Sequence, residues 1–578
     1  MRTRAAGPGS GAAQTETADS ATERDGRPRR PGERFTALRR HRQLVFVLAV
    51  VALLAQMAVA MVTTAKEQSP TTDEPVYVGT ATVYLKEHSL RYNPEHPPLG
   101  KLVIATGVLV ADPHLKQGFR GDQSRLGRHL LFETGNDAQR LMLWARTPMI
   151  VLTLLFGLVV CAFARDLTGR AGALAALALY AFSPDVIAHG SLAALDVPAA
   201  GFVLTSVWLT WRARRRPGLY LPLAGAALGA ALATKMTTLP AVPVVLLLAV
   251  LSVLAARRAP RHAPRRRAQP LALAVAWAAG MALIAVAVVW ATYLVVDPRL
   301  HWTAPADMPK VHGLRALAAD LLPFPREYRD GMLLQFGKGE TVVREGFLYG
   351  RPYNGALWYY LPAALLVKTP LGMLALWAAG AVALCAIRQL RPAVPYVLLP
   401  TVVLLAAAMT GDRDLGVRYA IFVPFFLAVA AAAVIAVRRR WAYAVTATLV
   451  AFVGVSSLST YPYYLPYANE AFGGPAKSHL WLHDSNVDWG QDLARLADRL
   501  RHRYPRETVW LVYKGSGEPS YYGIHASDPM TVSPDKVRGL LVVSDTAAAT
   551  AEAPLAALID SSSAVDEVGH SIRIYRRP

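Results

Sequence analysis

The chain has 578 residues, 53% hydrophobic and 17% charged, with a mean hydropathy of +0.28. Its apolar residues come in long runs and not at helical or strand periods, which excludes a string of soluble domains. A net charge of +21 would suit nucleic acid, but the arginines sit in short clusters between apolar runs, where topology signals belong, so nucleic acid is excluded as a partner.

Residues 1–42 are rich in Arg, Gly, Pro, Ser and Thr without apolar periodicity and read as a disordered cytoplasmic tail. They are not a cleavable signal, because the first apolar run begins late and is too long. Runs of about 18 or more apolar residues cross a bilayer as helices. Such runs fall at 43–62, 141–164, 171–190, 197–211, 219–234, 238–256, 271–296, 357–387, 394–409, 419–437 and 442–458, about eleven spans, with a break expected at Lys368-Thr369-Pro370. Arginine clusters in the tail, at Arg165 and Arg170, Arg212 to Arg216, Arg257 to Arg267, Arg388 and Arg391, and Arg438 to Arg440 then share one side. The positive-inside rule makes that side cytoplasmic. The loops 63–140 and 297–356, the turns 184–198 and 411–418, and everything after 459 face outward.

The resulting expectation is an α-helical polytopic protein of the plasma (cytoplasmic) membrane, with its transmembrane domain at 43–458 and the N-terminus cytoplasmic. Residues 459–578 form a small extracytoplasmic C-terminal α/β domain, with a helix at Ala494–Arg503 and strands at Val509–Tyr513, Gly539–Ser544 and Ser571–Tyr575. Cys161 and Cys385 lie inside apolar runs and read as small buried hydrophobes.

Every acid of interest lies in an outward segment. Asp73 and Glu74 follow the first span, and Asp196 lies in the facing turn SPDVIAHGSLAALDVP. A carboxylate at a lipid–water boundary is partly desolvated and moves towards general-base strength, and adjacent carboxylates raise each other further. The same pair has the oxygen ligands for a divalent metal, although no cofactor is otherwise called for. In NPEHPPLGK, His96 precedes a Pro-Pro turn and Lys101 sits at a helix start; Lys235, Lys368 and Arg418 occupy comparable outer ends of spans. Several cations around two acids suit an anionic lipid headgroup. Asp488 and Gln491 lie in HDSNVDWGQDL, which reads as a helix start with Asp488 as its cap. Walker, GxGxxG, HExxH and GxSxG patterns are absent from the sequence.

The ordered set of DE, HPPLGK, AHGSL, a TK at a span end, WYYLPAALLVKTPLG, LGVRYA and YANEAFGGPA…DSNVDWGQDL resembles the GT-C class of membrane glycosyltransferases. Within that class the chain is similar to the phospholipid-carrier-dependent branch related to protein O-mannosyltransferases and lipid A aminoarabinose transferases, over about residues 44–525. The resemblance implies inverting transfer of one sugar, mannose or similar, from a polyprenyl-phosphate donor to a protein, lipid or glycan acceptor on the outer face. It makes Asp73 the candidate base, with Glu74 and Asp196 beside it. It makes His96, Lys101, Lys235, Lys368, Arg418, Asp488 and Gln491 candidates for binding substrate. A departing lipid phosphate needs cations and an acceptor hydroxyl needs a base, so the chemistry asks for such a set. The competing reading is a secondary transporter or lipid flippase, which would place ionisable residues at span centres, where few are found.

Overall fold

The computed structural model describes residues 31–257, 270–305, 307–341 and 345–578. Most of the segment read as a tail, and most of the Arg257–Arg267 cluster, lie outside the described residues. Met1–Leu48 and Ala49–Pro578 are separate units, and helix α1 (Pro31–Glu67) runs from the first into the second.

The segment after α1 holds three short helices, α2 (Glu74–Lys86), α3 (Pro98–Ala111) and α4 (Gln123–Phe132). Then come α5 (Ala138–Ala181), α6 (Pro184–Gly190), α7 (Asp196–Ala213), α8 (Pro217–Thr234), α9 (Ala241–Arg257) and α10 (Pro270–Val296). Prolines at the first turns of α3, α6 and α8 suit positions whose amide hydrogens have no helical acceptor. Gly169, with φ 80°, breaks α5 between two of the expected spans. The next loop holds α11 (Leu314–Leu321), α12 (Arg326–Thr341) and an antiparallel hairpin of β1 (Glu345–Leu348) and β2 (Arg351–Asn354). Helices α13 (Tyr360–Lys368), α14 (Leu371–Ala386), α15 (Val394–Met409), α16 (Phe422–Ala431) and α17 (Arg440–Thr460) complete the bundle.

Among the described residues, six helices are long and apolar enough to cross a membrane, seven if the bent pair α13–α14 is one span. Eleven were expected: the remaining four are the second half of α5, which continues beyond the kink at Gly169, and α7, α9 and the α16 segment, which lie outside that long, apolar set. The break at Lys368-Thr369-Pro370 is present: α13 and α14 meet at 119° there, since proline cannot continue α13. Apolar side chains such as Leu283, Val295 and Val455 point away from the bundle, as lipid contact requires. The chain is an integral membrane protein. Cys161 is buried as expected, but Cys385 is exposed on α14, so only the first packs as a buried hydrophobe.

Helices buried in lipid gain little from burying apolar surface against each other, so close backbone approach carries their packing. Gly225 and Gly229, one turn apart on α8, lie against α10: a Cβ at either would come within 2.6 Å of the Met281 or Ala285 carbonyl oxygen.

The C-terminal part forms a four-stranded sheet in the order β3 (Val509–Val512), β4 (Gly539–Ser544), β6 (Ile572–Arg577), β5 (Ser563–Val568). β3 and β4 are parallel and the other pairs antiparallel. Alternation along β4 sends Leu540 and Val542 to one core with Leu493, Leu496 and Leu500 of α18 (Leu493–Arg503). Leu541 and Val543 go to a second core with Leu555 and Leu558. β5 is an element the sequence reading missed, because SAVDEV exposes most of its side chains.

Gly225→Val and Gly229→Val are each expected to destabilise the α8–α10 contact by about 1–3 kcal/mol. The check is a lowered apparent unfolding midpoint of the purified protein in detergent, with the exposed α8 glycine Gly218, where a Cβ would meet only Trp277 at an ordinary contact of 3.7 Å, as the comparison.

Candidate active site

The site is built on a buried ion pair absent from the sequence reading. Arg146 of α5 and Glu74 of α2 have no exposed side-chain surface and meet at 2.6 Å (Nη2 to Oε2) and 2.8 Å (Nε to Oε1). Arg146 also donates to the carbonyls of Ala65 (2.7 Å), Gln68 (2.9 Å) and Ser69 (3.0 Å), where α1 ends. Glu74 accepts in addition from the backbone N–H of Thr71 (2.9 Å) and Ala193 (2.8 Å) and from the Thr71 hydroxyl (3.0 Å). Burial alone would raise the Glu74 carboxyl, but the Arg146 charge and these hydrogen bonds outweigh it and hold it below its ordinary value. The only sequence signal was an arginine inside the apolar run LMLWARTPMI, and a charge there demands a partner.

The turn so fixed then pairs with the segment after α17. Ser69 and Thr72 donate backbone N–H groups to the carbonyls of Gln491 (2.9 Å) and Trp489 (3.0 Å), and Ala494 N–H donates to the Ser69 hydroxyl (2.8 Å). This leaves Asp73, a third exposed, against Arg418, with Nη1 to Oδ2 at 2.6 Å. Arg418 is itself buried, its guanidinium 4.3 Å from the centre of the Trp489 ring and 5.1 Å from that of Tyr419. The turn before it needs glycine at 416, where φ is 143° and a Cβ would lie 2.3 Å from Ser485 Oγ.

Asp196 opens α7 and Lys235 follows the end of the adjacent antiparallel helix α8, so both lie at one end of that hairpin and suit the dipoles there. Their Nζ–Oδ1 distance is 2.5 Å, and Lys235 Nζ lies 5.4 Å from the Tyr419 ring centre. Asp196, Lys235, Arg418 and Tyr419 line a cavity of about 410 Å³ together with Arg315, Asp412 and Arg413 and with the apolar Ala199, Ala200, Val203, Leu404 and Phe422. The cavity thus joins a charged group of side chains to an apolar wall.

Asp73, Asp196, Lys235 and Arg418 come together; the other candidates do not join them. Glu74 is held by Arg146, so its carboxyl is lowered and not raised, and it offers no oxygen for a metal shared with Asp73: both Glu74 oxygens already accept from the guanidinium. Lys101 is buried under its own turn, donating to Asn93 O (2.8 Å), Asn93 Oδ1 (3.2 Å) and His96 O (2.6 Å). The His96 ring meets Tyr77 edge-on at 5.8 Å. Lys368 donates to Leu465 O (2.6 Å) and Asn486 O (2.8 Å), with Asp185 at 3.5 Å. Asp488 does not cap α18, the helix that follows it: it accepts from the N–H groups of Gly490 (3.1 Å) and of Thr546 (3.0 Å), in the first turn of the helix Asp545–Ala549, and burial pushes its carboxyl up to about 7. Gln491 accepts from Trp489 N–H (2.7 Å) and donates to Val487 O (3.0 Å). These last three shape the segment that presents Trp489.

Residues 47–301 match the family described as dolichyl-phosphate-mannose-protein mannosyltransferase. That match spans less than half of the chain. No curated protein matches it. Among solved structures it is similar to ArnT from Cupriavidus metallidurans in the apo state, at 13% identity and a TM-score of 0.46, over 91% of this chain and 97% of that one. It is similar to ArnT bound to undecaprenyl phosphate at 15% identity and a TM-score of 0.44, over the same 91% and 97%. The Saccharomyces cerevisiae Pmt1-Pmt2 complex bound to the sugar donor gives 20% identity and a TM-score of 0.34, over 44% of this chain and 33% of that one. These likenesses are distant.

Arg146→Met, which strands Glu74 without its counter-charge, is expected to cost about 3–5 kcal/mol, read as a fall in the apparent unfolding midpoint. Because the Glu74 carboxyl is held below its ordinary 4.5, its contribution is present above that pH and lost as pH falls below it. A Glu74→Gln variant should therefore start less stable at neutral pH and lose less between there and strong acid, in the same melting series.

Proposed function

We propose that the chain transfers one sugar, mannose or a similar one, from a polyprenyl-phosphate donor to a protein, lipid or glycan acceptor, with inversion, on the outer face of the cytoplasmic membrane. On this reading residues 43–458 are the transferase domain, with the N-terminus cytoplasmic and the 459–578 domain outside. The arginine clusters support that orientation. The observation that carries the reading is a cavity lined by both cations and apolar side chains, beside Asp73, a partly exposed acid held against Arg418.

In the proposed reaction the lipid lies along the apolar wall and its phosphate meets Lys235 and Arg418. The acceptor hydroxyl attacks the anomeric carbon from the face opposite the phosphate. Asp73 takes the hydroxyl proton, the bond from that carbon to the phosphate oxygen breaks, and the polyprenyl phosphate leaves with the electron pair. Lys235 and Arg418 meet the charge that develops on it. Asp196 holds Lys235 in place at 2.5 Å. Arg418 has a further part: its guanidinium occupies one Asp73 oxygen at 2.6 Å, and a phosphate that draws Arg418 towards itself frees that oxygen for the acceptor hydroxyl. Proton abstraction then waits for donor.

Purified protein supplied with polyprenyl-phosphate-linked sugars and candidate acceptors tests this. Asp73→Asn should lower turnover by roughly a hundredfold or more while donor binding persists. Equal transfer by wild type and Asp73→Asn would remove Asp73 as the base. Lipid movement by the wild type without turnover of any donor would favour the transporter reading.

Lys235→Ala and Arg418→Ala should each lower kcat/KM by at least about tenfold through loss of a charged phosphate contact, measured in the same transfer assay.

A further inference from the structure

Four cationic side chains line the cavity, Lys235, Arg315, Arg413 and Arg418. Lys235 is paired with Asp196 and Arg418 with Asp73, and the Arg315 guanidinium lies 5.6 Å from the centre of the Phe336 ring. Arg413 differs from them. Among the described residues its half-buried side chain makes no hydrogen bond, ion pair or ring contact, and the neighbouring Asp412 carboxylate, although exposed on the same turn, is not paired with it.

The backbone that carries Arg413 is nevertheless fixed. The next residue, Asp414, is buried and accepts from the Tyr353 hydroxyl and the Leu357 N–H, both at 2.7 Å. Two residues further on the turn is held again, by Ser485 Oγ donating to the Leu415 carbonyl at 2.5 Å and Val417 N–H donating to Asn486 Oδ1 at 3.0 Å. A pinned turn thus aims an uncommitted guanidinium at the cavity that Arg418, on the same turn, also lines.

This arrangement matters for an arriving anion. Lys235 and Arg418 are each neutralised by a carboxylate in direct contact, so their field at the mouth of the cavity is largely cancelled. Arg413 supplies positive charge that no acid in contact offsets, on a planar fork suited to two phosphate oxygens. We propose, resting on the transferase reading above, that Arg413 is the residue that captures the phosphate of the lipid-linked donor, before Arg418 exchanges Asp73 for it. Arg413 sets donor affinity and stays with the phosphate through the reaction, so it contributes equally before and during bond breaking and leaves kcat in place.

The test is direct binding of polyprenyl phosphate to the full-length protein in lipid nanodiscs, alongside donor titrations in the transfer assay. Arg413→Ala should weaken polyprenyl phosphate binding and raise donor KM by about tenfold, with kcat within about twofold of wild type, and Arg413→Lys should recover part of the affinity. Added salt should weaken wild-type binding more than Arg413→Ala binding. Arg351→Ala, an exposed change on β2, serves as the charge-matched comparison and should leave both Kd and KM unchanged. Arg413→Ala binding as tightly as wild type overturns the proposal, and so does a loss of kcat at unchanged affinity. If wild-type protein itself fails to bind polyprenyl phosphate, the transferase reading falls and this inference with it, an outcome distinct from a variant that binds normally.

Discussion

The structure around the candidate site depends on one buried guanidinium–carboxylate pair. Two charges with no exposed surface are expensive to desolvate, and such a pair is retained only where its geometry satisfies nearly every donor and acceptor. Arg146 and Glu74 do this by recruiting the end of α1, the turn at Thr71 and the Ala193 amide. Three chain segments are thereby tied at one point. Asp73 follows from that tie: its neighbour is locked inward, so its own side chain is turned to the other side, towards Arg418.

The charges at the cavity repeat the theme at lower burial. Two acids have a cation in contact, Asp73 with Arg418 and Asp196 with Lys235, and the aromatic faces of Trp489 and Tyr419 shield those cations from the apolar surroundings. Those two pairs are each close to neutral and can rearrange when an anion arrives. Charges held so near an apolar wall would otherwise be costly, and the pairing is the reason the cavity tolerates them.

Much of the architecture was legible in the sequence. The apolar runs located the long helices, Lys368-Thr369-Pro370 marked the sharp bend, and the motif order pointed to the family found for residues 47–301. The element boundaries were less so: the runs 141–164 and 171–190 fold as one element kinked at Gly169, and 197–211, 238–256 and 419–437 fold as helices outside the long, apolar set. Among the candidates, Lys101, Lys235 and Lys368 looked alike, each a lysine at the end of an apolar run. What separates them is the partner: backbone carbonyls for Lys101 and Lys368, a carboxylate beside a cavity for Lys235. Carbonyls carry no sequence signature, so a lysine that braces a turn cannot be told from one that faces a ligand. Arg146 was missed for a related reason, since its surroundings are apolar in sequence and its partners lie in other segments.

The pairing of the first turn with the Trp489 segment also bears on how the protein comes to be made. Thr72 and Trp489 are separated by 417 positions, and Asp73 and Arg418 by 345. A ribosome delivers Asp73 early and Trp489 only after the whole bundle. Until then, Ser69 and Thr72 lack the carbonyls that hold them and Arg418 lacks the ring that covers it. Nascent chains halted anywhere within the bundle would carry the acid but not its setting. The same contacts that complete the site therefore act as a checkpoint in time, withholding a finished charge arrangement until nearly all of the chain has been threaded into the bilayer.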